Sequence, residues 1–308
     1  VAGICNRKEP PLRPNDDKCT LYRYDLKLEV YSPLAQLASN KEWDYQDPAF
    51  TPDGGHIVAT EFGPNCGEDV AGCAKGQRLA IRLVMLDLDG KRVRYLSGPG
   101  YWRMPSVAKD GKTLLAWNAF VLAGSQGVFG LWAVFEVDMT TGRAEQVIKL
   151  VAQTPLQPPR YWHDGRIMAV AASINVGRNR ALYGDAPYQR VHGGNLTVVL
   201  NRTDPNPRIW PFFEEVDPPD RRKPGLSPTN GDLVVLEMTS DGMSVIYQTR
   251  EILKSNKRTF PTVNDYTIIR SATDPKDFGR RVASPVTADR AALSPDDRQL
   301  ATVLPGKQ

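Results

Sequence analysis

The chain has 308 residues, 41% of them apolar, and carries 39 Lys and Arg against 35 Asp and Glu, for a formal charge of +4. That length and apolar share can bury a substantial core. The near balance of scattered charges excludes the continuous basic face of a nucleic-acid binder, and no apolar run approaches the ~18 residues of a membrane-spanning helix.

In chain order, the first segment is a Pro-rich leader, residues 1–18, ahead of a single domain over 19–308. The chain begins with Val1, which is expected if an export signal has been removed. Cys5 and Cys19 flank the leader, and Cys66 and Cys73 flank a small polar loop. Two local disulfides, Cys5–Cys19 and Cys66–Cys73, are predicted, and with them a periplasmic or extracellular location. The spacings are not C-x2-C, no histidine lies close by, and C-x-x-C-H is absent, so neither zinc nor haem is expected.

From residue 49 onward a phrase recurs. An apolar residue leads into an Asp-Gly type turn, and a short β-rich run follows. The copies turn at Asp53-Gly54, Asp110-Gly111, Asp164-Gly165, Asp241-Gly242 and Asp296-Asp297. Their aspartates lie 57, 54, 77 and 55 residues apart. Repeats of about 40–50 residues are the mark of β-propeller blades, so these units are blades with long loops and one insertion. After each of the first four phrases come a second apolar run, a polar turn and a third run, as in residues 83–96, 131–150, 196–210 and 266–282. Asp-Gly and Thr-Gly between β-branched runs signal hairpins. Each unit therefore predicts four antiparallel strands, one blade.

The fifth phrase has only its two inner strands before Gln308, while residues 20–31 resemble an outer pair placed ahead of the first phrase. The expected fold is all-β: a propeller of five four-stranded blades, or six or more if the chain is a piece of a longer one. N-terminal strands complete the C-terminal blade, which removes free edges.

The phrase Thr51-Pro52-Asp53-Gly54 before an Ile-Val run, its partner Ser294-Pro295-Asp296-Asp297, and the turn Leu86-Asp87-Leu88-Asp89-Gly90 resemble the WD40-like (PD40) repeats of TolB-type β-propellers. The resemblance extends over residues 19–304. Lys109, His163 and Ser240 stand where the phrase has proline. Propellers of this family occur as periplasmic docking proteins, as domains of redox complexes and as lids on peptidases, so the resemblance implies a fold without fixing a ligand.

Chemistry-bearing motifs are sparse. His56 and His163 sit in turns, and His192 precedes two glycines in a loop. Ala123-Gly124-Ser125-Gln126-Gly127 imitates a nucleophile elbow but lies between strands, whereas the elbow needs a strand–turn–helix. No phosphate-binding Gly-rich loop occurs. Asn195 and Asn201 head formal glycosylation sequons, placed in a predicted strand and its turn. Arg221-Arg222-Lys223 is a basic cluster that fits a solvated loop, inside a Pro-rich segment, residues 211–228, stiff enough to clamp a partner or to link blades. No cofactor, no metal site and no catalytic residue is predicted.

Function is therefore sought in loops. Those after the second strand of each blade (61–77, 121–130, 173–194, 250–265) share a face with the blade links. That face collects Trp43, Tyr45, Tyr101, Trp102, Arg103 and Arg160, and the 173–194 insertion adds Arg178, Arg180, Tyr183, Tyr188 and Arg190. Tyr, Trp and Arg dominate binding hot spots, although Trp43 and Trp102 fit packing between blades equally well. The expectation is a non-catalytic, exported scaffold subunit with a protein partner, in an envelope or redox complex. The alternatives are a propeller hydrolase or lyase with a site at the propeller mouth, or the propeller domain of a larger peptidase.

Overall fold

The computed structural model describes residues 2–5, 19–25, 27–28, 30–34, 44–63, 81–124, 127–155, 157–174, 195–200, 210–211, 234–239, 241–254, 262–271, 280–281, 290–293, 298 and 300–303. All regular structure among them is β. The chain divides into two compact units, Val1–Val147 and Ile148–Gln308.

The first unit opens with a three-stranded antiparallel sheet of β1 (Ala2–Cys5), β2 (Cys19–Asp25) and β3 (Val30–Pro33). Residues 2–5 thus belong to a sheet. The next sheet is a complete blade: β4 (Asp44–Phe50), β5 (Ile57–Phe62), β6 (Ile81–Leu86) and β7 (Arg92–Tyr95), paired in that order. Strands β8 (Trp102–Val107), β9 (Thr113–Gly124), β10 (Gly127–Asp138) and β11 (Ala144–Pro155) are paired in that order, in the manner of a second blade, within an eight-stranded sheet.

Sequence pattern explains why these sheets stack. Strands β5 and β6 are buried on both faces, as their nearly continuous apolar runs require. Alternation sends Ile57, Ala59, Val84 and Leu86 to one face, where they pack with Tyr45 and with Leu21 and Leu34 of the N-terminal strands. Val58, Leu83 and Met85 go to the other face, against Trp102, Leu114, Ala116 and Val137 of the second blade. The outer strand β7 is exposed at all four positions.

The second unit holds β12 (Arg160–Tyr161), β13 (Ile167–Ile174), β14 (Asn195–Leu200) and β15 (Trp210–Pro211), again in blade order. It also holds a four-stranded sheet of β16 (Val234–Met238), β17 (Ser244–Lys254), β18 (Thr262–Ser271) and β19 (Arg280–Arg281). A two-stranded ladder of β20 (Arg290–Leu293) and β21 (Leu300–Val303) completes the described strands.

Two loops predicted from sequence are shorter than expected. Residues 121–130 are mostly strand: Gly124 pairs with Gly127 at the tip of a hairpin whose β-branched and aromatic residues extend the ladder. Segment 250–265 likewise carries β17 to Lys254 and β18 from Thr262. Strand β11 also runs past the expected residue 150, because Ala152, Thr154 and Pro155 pair with β13.

The recurring phrase has one construction in four blades. In the first, Thr51 N–H donates to His56 O and Gly54 N–H to Thr51 O, while Asp53 Oδ1 accepts from Gly55 N–H. Asp110, Asp164 and Asp241 repeat that side-chain bond with Lys112, Arg166 and Met243. Glycine follows each aspartate because the backbone there has positive φ, +68° at Gly54 and +70° at Gly242. Gly242 meets a second demand: a Cβ there would lie 2.6 Å from the His163 amide nitrogen.

Candidate functional site

Innermost strands β4, β8 and β16 share an irregularity. Each has a one-residue β-bulge, between Gln46 and Ala49, Arg103 and Ser106, and Val235 and Glu237. Pro48, Pro105 and Leu236 sit at these bulges, each five residues before the turn aspartate. Proline has no N–H to give a ladder and is tolerated at a bulge. The residues ahead of the two prolines, Asp47 and Met104, both have φ of +53°, an unusual conformation for side-chain-bearing residues.

Ion pairs are built on these inner strands. Asp47, its side chain 4% exposed, accepts from Arg103 Nε at 2.7 Å and from Met104 N–H at 3.1 Å through Oδ2. One carboxylate on β4 thus holds both the guanidinium and the strained amide on β8. The Arg103 guanidinium also lies over the Phe62 ring, 5.4 Å from its centroid. In the second unit, Arg160 on β12 binds both carboxylate oxygens of Glu237 on β16, at 2.8 and 2.9 Å. Glu237 Oε1 also accepts from Met238 N–H.

Tyr45 corrects the binding face expected from sequence, and Trp102 takes the packing alternative. Tyr45 is 3% exposed; its hydroxyl donates to Glu61 Oε2 at 2.8 Å. Burial, then the Glu61 charge, pushes its pKa above the ordinary tyrosine range. Trp102 is 5% exposed, donates Nε1–H to Gly98 O and meets Phe135 edge-on at 5.6 Å. Both large rings fill the interior, where their apolar area is worth most. Arg103 and Arg160 remain partly exposed but are held by Asp47 and Glu237. Tyr101 is half-buried and anchored by its N–H to Asn118 Oδ1. Trp43, Arg178, Arg180, Tyr183, Tyr188, Arg190, Cys66 and Cys73 lie outside the described residues.

Sequence reading passes over Asp47, Glu61 and Glu237. Each is an acidic residue in or beside an apolar run, and buried carboxylates need partners. The prolines five residues before Asp53 and Asp110 are a legible sign of the bulges on β4 and β8. Among the described residues no group of three His, Cys, Asp or Glu is gathered as a metal site.

Compared with solved structures, the chain is similar to TolB from Acinetobacter baumannii, at 14% identity and a TM-score of 0.51 over 92% of this chain and 53% of that one. The fold is that of a TolB-like β-propeller. An oligogalacturonate lyase in complex with manganese matches at 12% identity and a TM-score of 0.50, over 93% of this chain and 64% of that one. An oligogalacturonate lyase from Vibrio parahaemolyticus gives 12% and 0.49, over 92% and 64%. The chain thus spans 53–64% of the length of these neighbours. Neither protein-family models nor curated proteins give a match.

Proposed function

We propose that this TolB-like propeller is a non-catalytic, exported scaffold that binds a protein partner through its loop-rich face, within an envelope or redox assembly. The observation that carries the reading is the pairing of Arg103 with Asp47 and of Arg160 with Glu237. These charges hold innermost strands of successive blades together, which suits a rigid platform for loops. The binding groups proposed on that face are Trp43, Tyr101, Arg178, Arg180, Tyr183, Tyr188 and Arg190, with the aromatic and arginine chemistry of hot spots.

The full architecture in this reading is a five-bladed ring in which β2 and β3 serve as the outer pair of the blade that holds β20 and β21. Its support is the packing of Leu21 and Leu34 on the leading face of the first complete blade, where a preceding blade belongs. Export is supported by register: Cys5 stands directly opposite Cys19 on β1 and β2. Opposed residues of an antiparallel ladder have Cα atoms about 4.5–5.5 Å apart, inside the range of roughly 4.4–6.8 Å that a disulfide spans. Cys66–Cys73 is the second disulfide of this reading. Among the described residues no helix is long and apolar enough to cross a membrane.

Purification from the native source, with intact-mass analysis of the chain and its companions, tests the proposal. A stoichiometric protein partner and a mass lowered by two disulfides are expected. A lone monomer with free thiols that binds metal and degrades a polysaccharide or peptide would replace this reading with an enzyme.

A further inference from the structure

Glu61 and Arg82 stand directly opposite each other on β5 and β6. Their side chains leave the same face of the blade, with Cβ atoms about 4.5–5.5 Å apart. Opposite charges so placed ordinarily pair with each other. Here the fully buried Glu61 carboxylate gives Oε2 to the Tyr45 hydroxyl and to Arg92 Nη1, and Oε1 has no hydrogen-bond partner among the described residues. Arg82 lays its guanidinium over the Tyr95 ring, 4.7 Å from the centroid, and its solvent-shielded Nε has no partner among the described residues either. Arg92 sits against the same ring at 4.5 Å.

Among the described residues, one unpaired acceptor and one unpaired donor therefore remain on opposed residues of neighbouring strands. Buried groups left this way are rare, because each forfeits its hydration without replacement. An anion would satisfy Arg82 and be repelled by Glu61, and a cation would meet the reverse conflict. A neutral group that both donates and accepts satisfies the two atoms together, and in a solvent-shielded site the small group of that kind is water.

We propose that a buried water molecule bridges Glu61 Oε1 and Arg82 Nε. It completes a polar network across all four strands of the blade: Tyr45 on β4, Glu61 on β5, Arg82 on β6, and Tyr95 with Arg92 on β7. The network lies at the end of the blade where β5 leads into the loop-rich face. This inference is independent of any partner.

Crystal structures of the wild type and of Arg82→Met, at a resolution that shows ordered water, provide the test. In the wild type a solvent peak is expected within about 2.7–3.2 Å of both atoms. In Arg82→Met the peak is expected to vanish while the Tyr45–Glu61–Arg92 contacts persist. A direct Glu61–Arg82 ion pair, a protein donor on Oε1, or no density between the two atoms overturns the proposal. The wild-type map alone decides if the variant does not fold.

Discussion

Asp47 holds Arg103 at 2.7 Å, and the same carboxylate oxygen accepts the backbone N–H of Met104, the next residue. A residue at one blade's bulge therefore fixes the bulge of the following blade. Two strained positions, each at φ +53°, are tied by a single side chain. Asp47→Ala would leave Arg103 without this carboxylate and Met104 N–H without its acceptor. Removing one partner of a largely buried pair is expected to cost about 2–4 kcal/mol, measured by urea denaturation. A double-mutant cycle with Arg103→Ala should give a coupling energy above about 1 kcal/mol. Additive effects would mean that the pair does not hold the blades.

Two turn glycines should differ although their backbones match. Gly54 at φ +68° has open space where a Cβ would sit, whereas a Cβ on Gly242 would strike the His163 backbone at 2.6 Å. Gly54→Ala is expected to cost about 1 kcal/mol, the ordinary penalty of positive φ. Gly242→Ala is expected to cost at least about 2 kcal/mol more, since both the turn of residues 162–165 and its own must shift. Equal losses in thermal unfolding would contradict the close contact.

Alkaline stability should report Tyr45. Its folded pKa lies above its unfolded value near 10, so above pH ~10 the unfolded chain loses a proton that the folded chain keeps. Stability from this group is complete below pH 10 and falls as pH rises above it. Tyr45→Phe should flatten that limb in thermal unfolding between pH 9 and about 11, at a cost near 1 kcal/mol at neutral pH from the lost bond to Glu61. An unchanged alkaline limb would count against the buried pair.

Acid stability should report the turns. The carboxyl of Asp25 is held below its usual range by the N–H groups of Leu28 and Lys27, and that of Asp138 by those of Thr141 and Thr140. At Asp53 the Thr51 hydroxyl is the larger cause, with the Gly55 N–H second. Depressed folded values mean that this stabilisation is present above pH ~4 and is lost as pH falls through the lower folded values. The joint variant Asp53→Asn with Asp138→Asn should lose less stability between pH 5 and 2 than the wild type. An equal loss in both would show that the turns do not set the acid limb.

The blades are legible in the sequence because their signals are local. Asp53-Gly54 and its counterparts dictate a turn, and the apolar runs beside them must be strands buried on both faces. The site is less legible because its contacts span blades. Asp47 meets Arg103 56 positions away, and Arg160 meets Glu237 77 away, and no local periodicity encodes such pairs. Aromatic identity misleads for the same reason: the place of Tyr45 beside a loop suggests a surface anchor, yet the register turns it inward onto Glu61, and for Trp102 only the register decides between binding and its packing on Phe135.

Hydrogen–deuterium exchange on the chain alone and in its native assembly tests the scaffold reading most directly. Protection is predicted at the blade links, residues 96–101 and 155–159, and in the insertion, residues 175–194. The turns at 51–54, 108–111 and 162–165, at the opposite ends of their blades, should exchange alike in both states. Protection confined to those turns, or none anywhere, would contradict a partner bound on the loop-rich face.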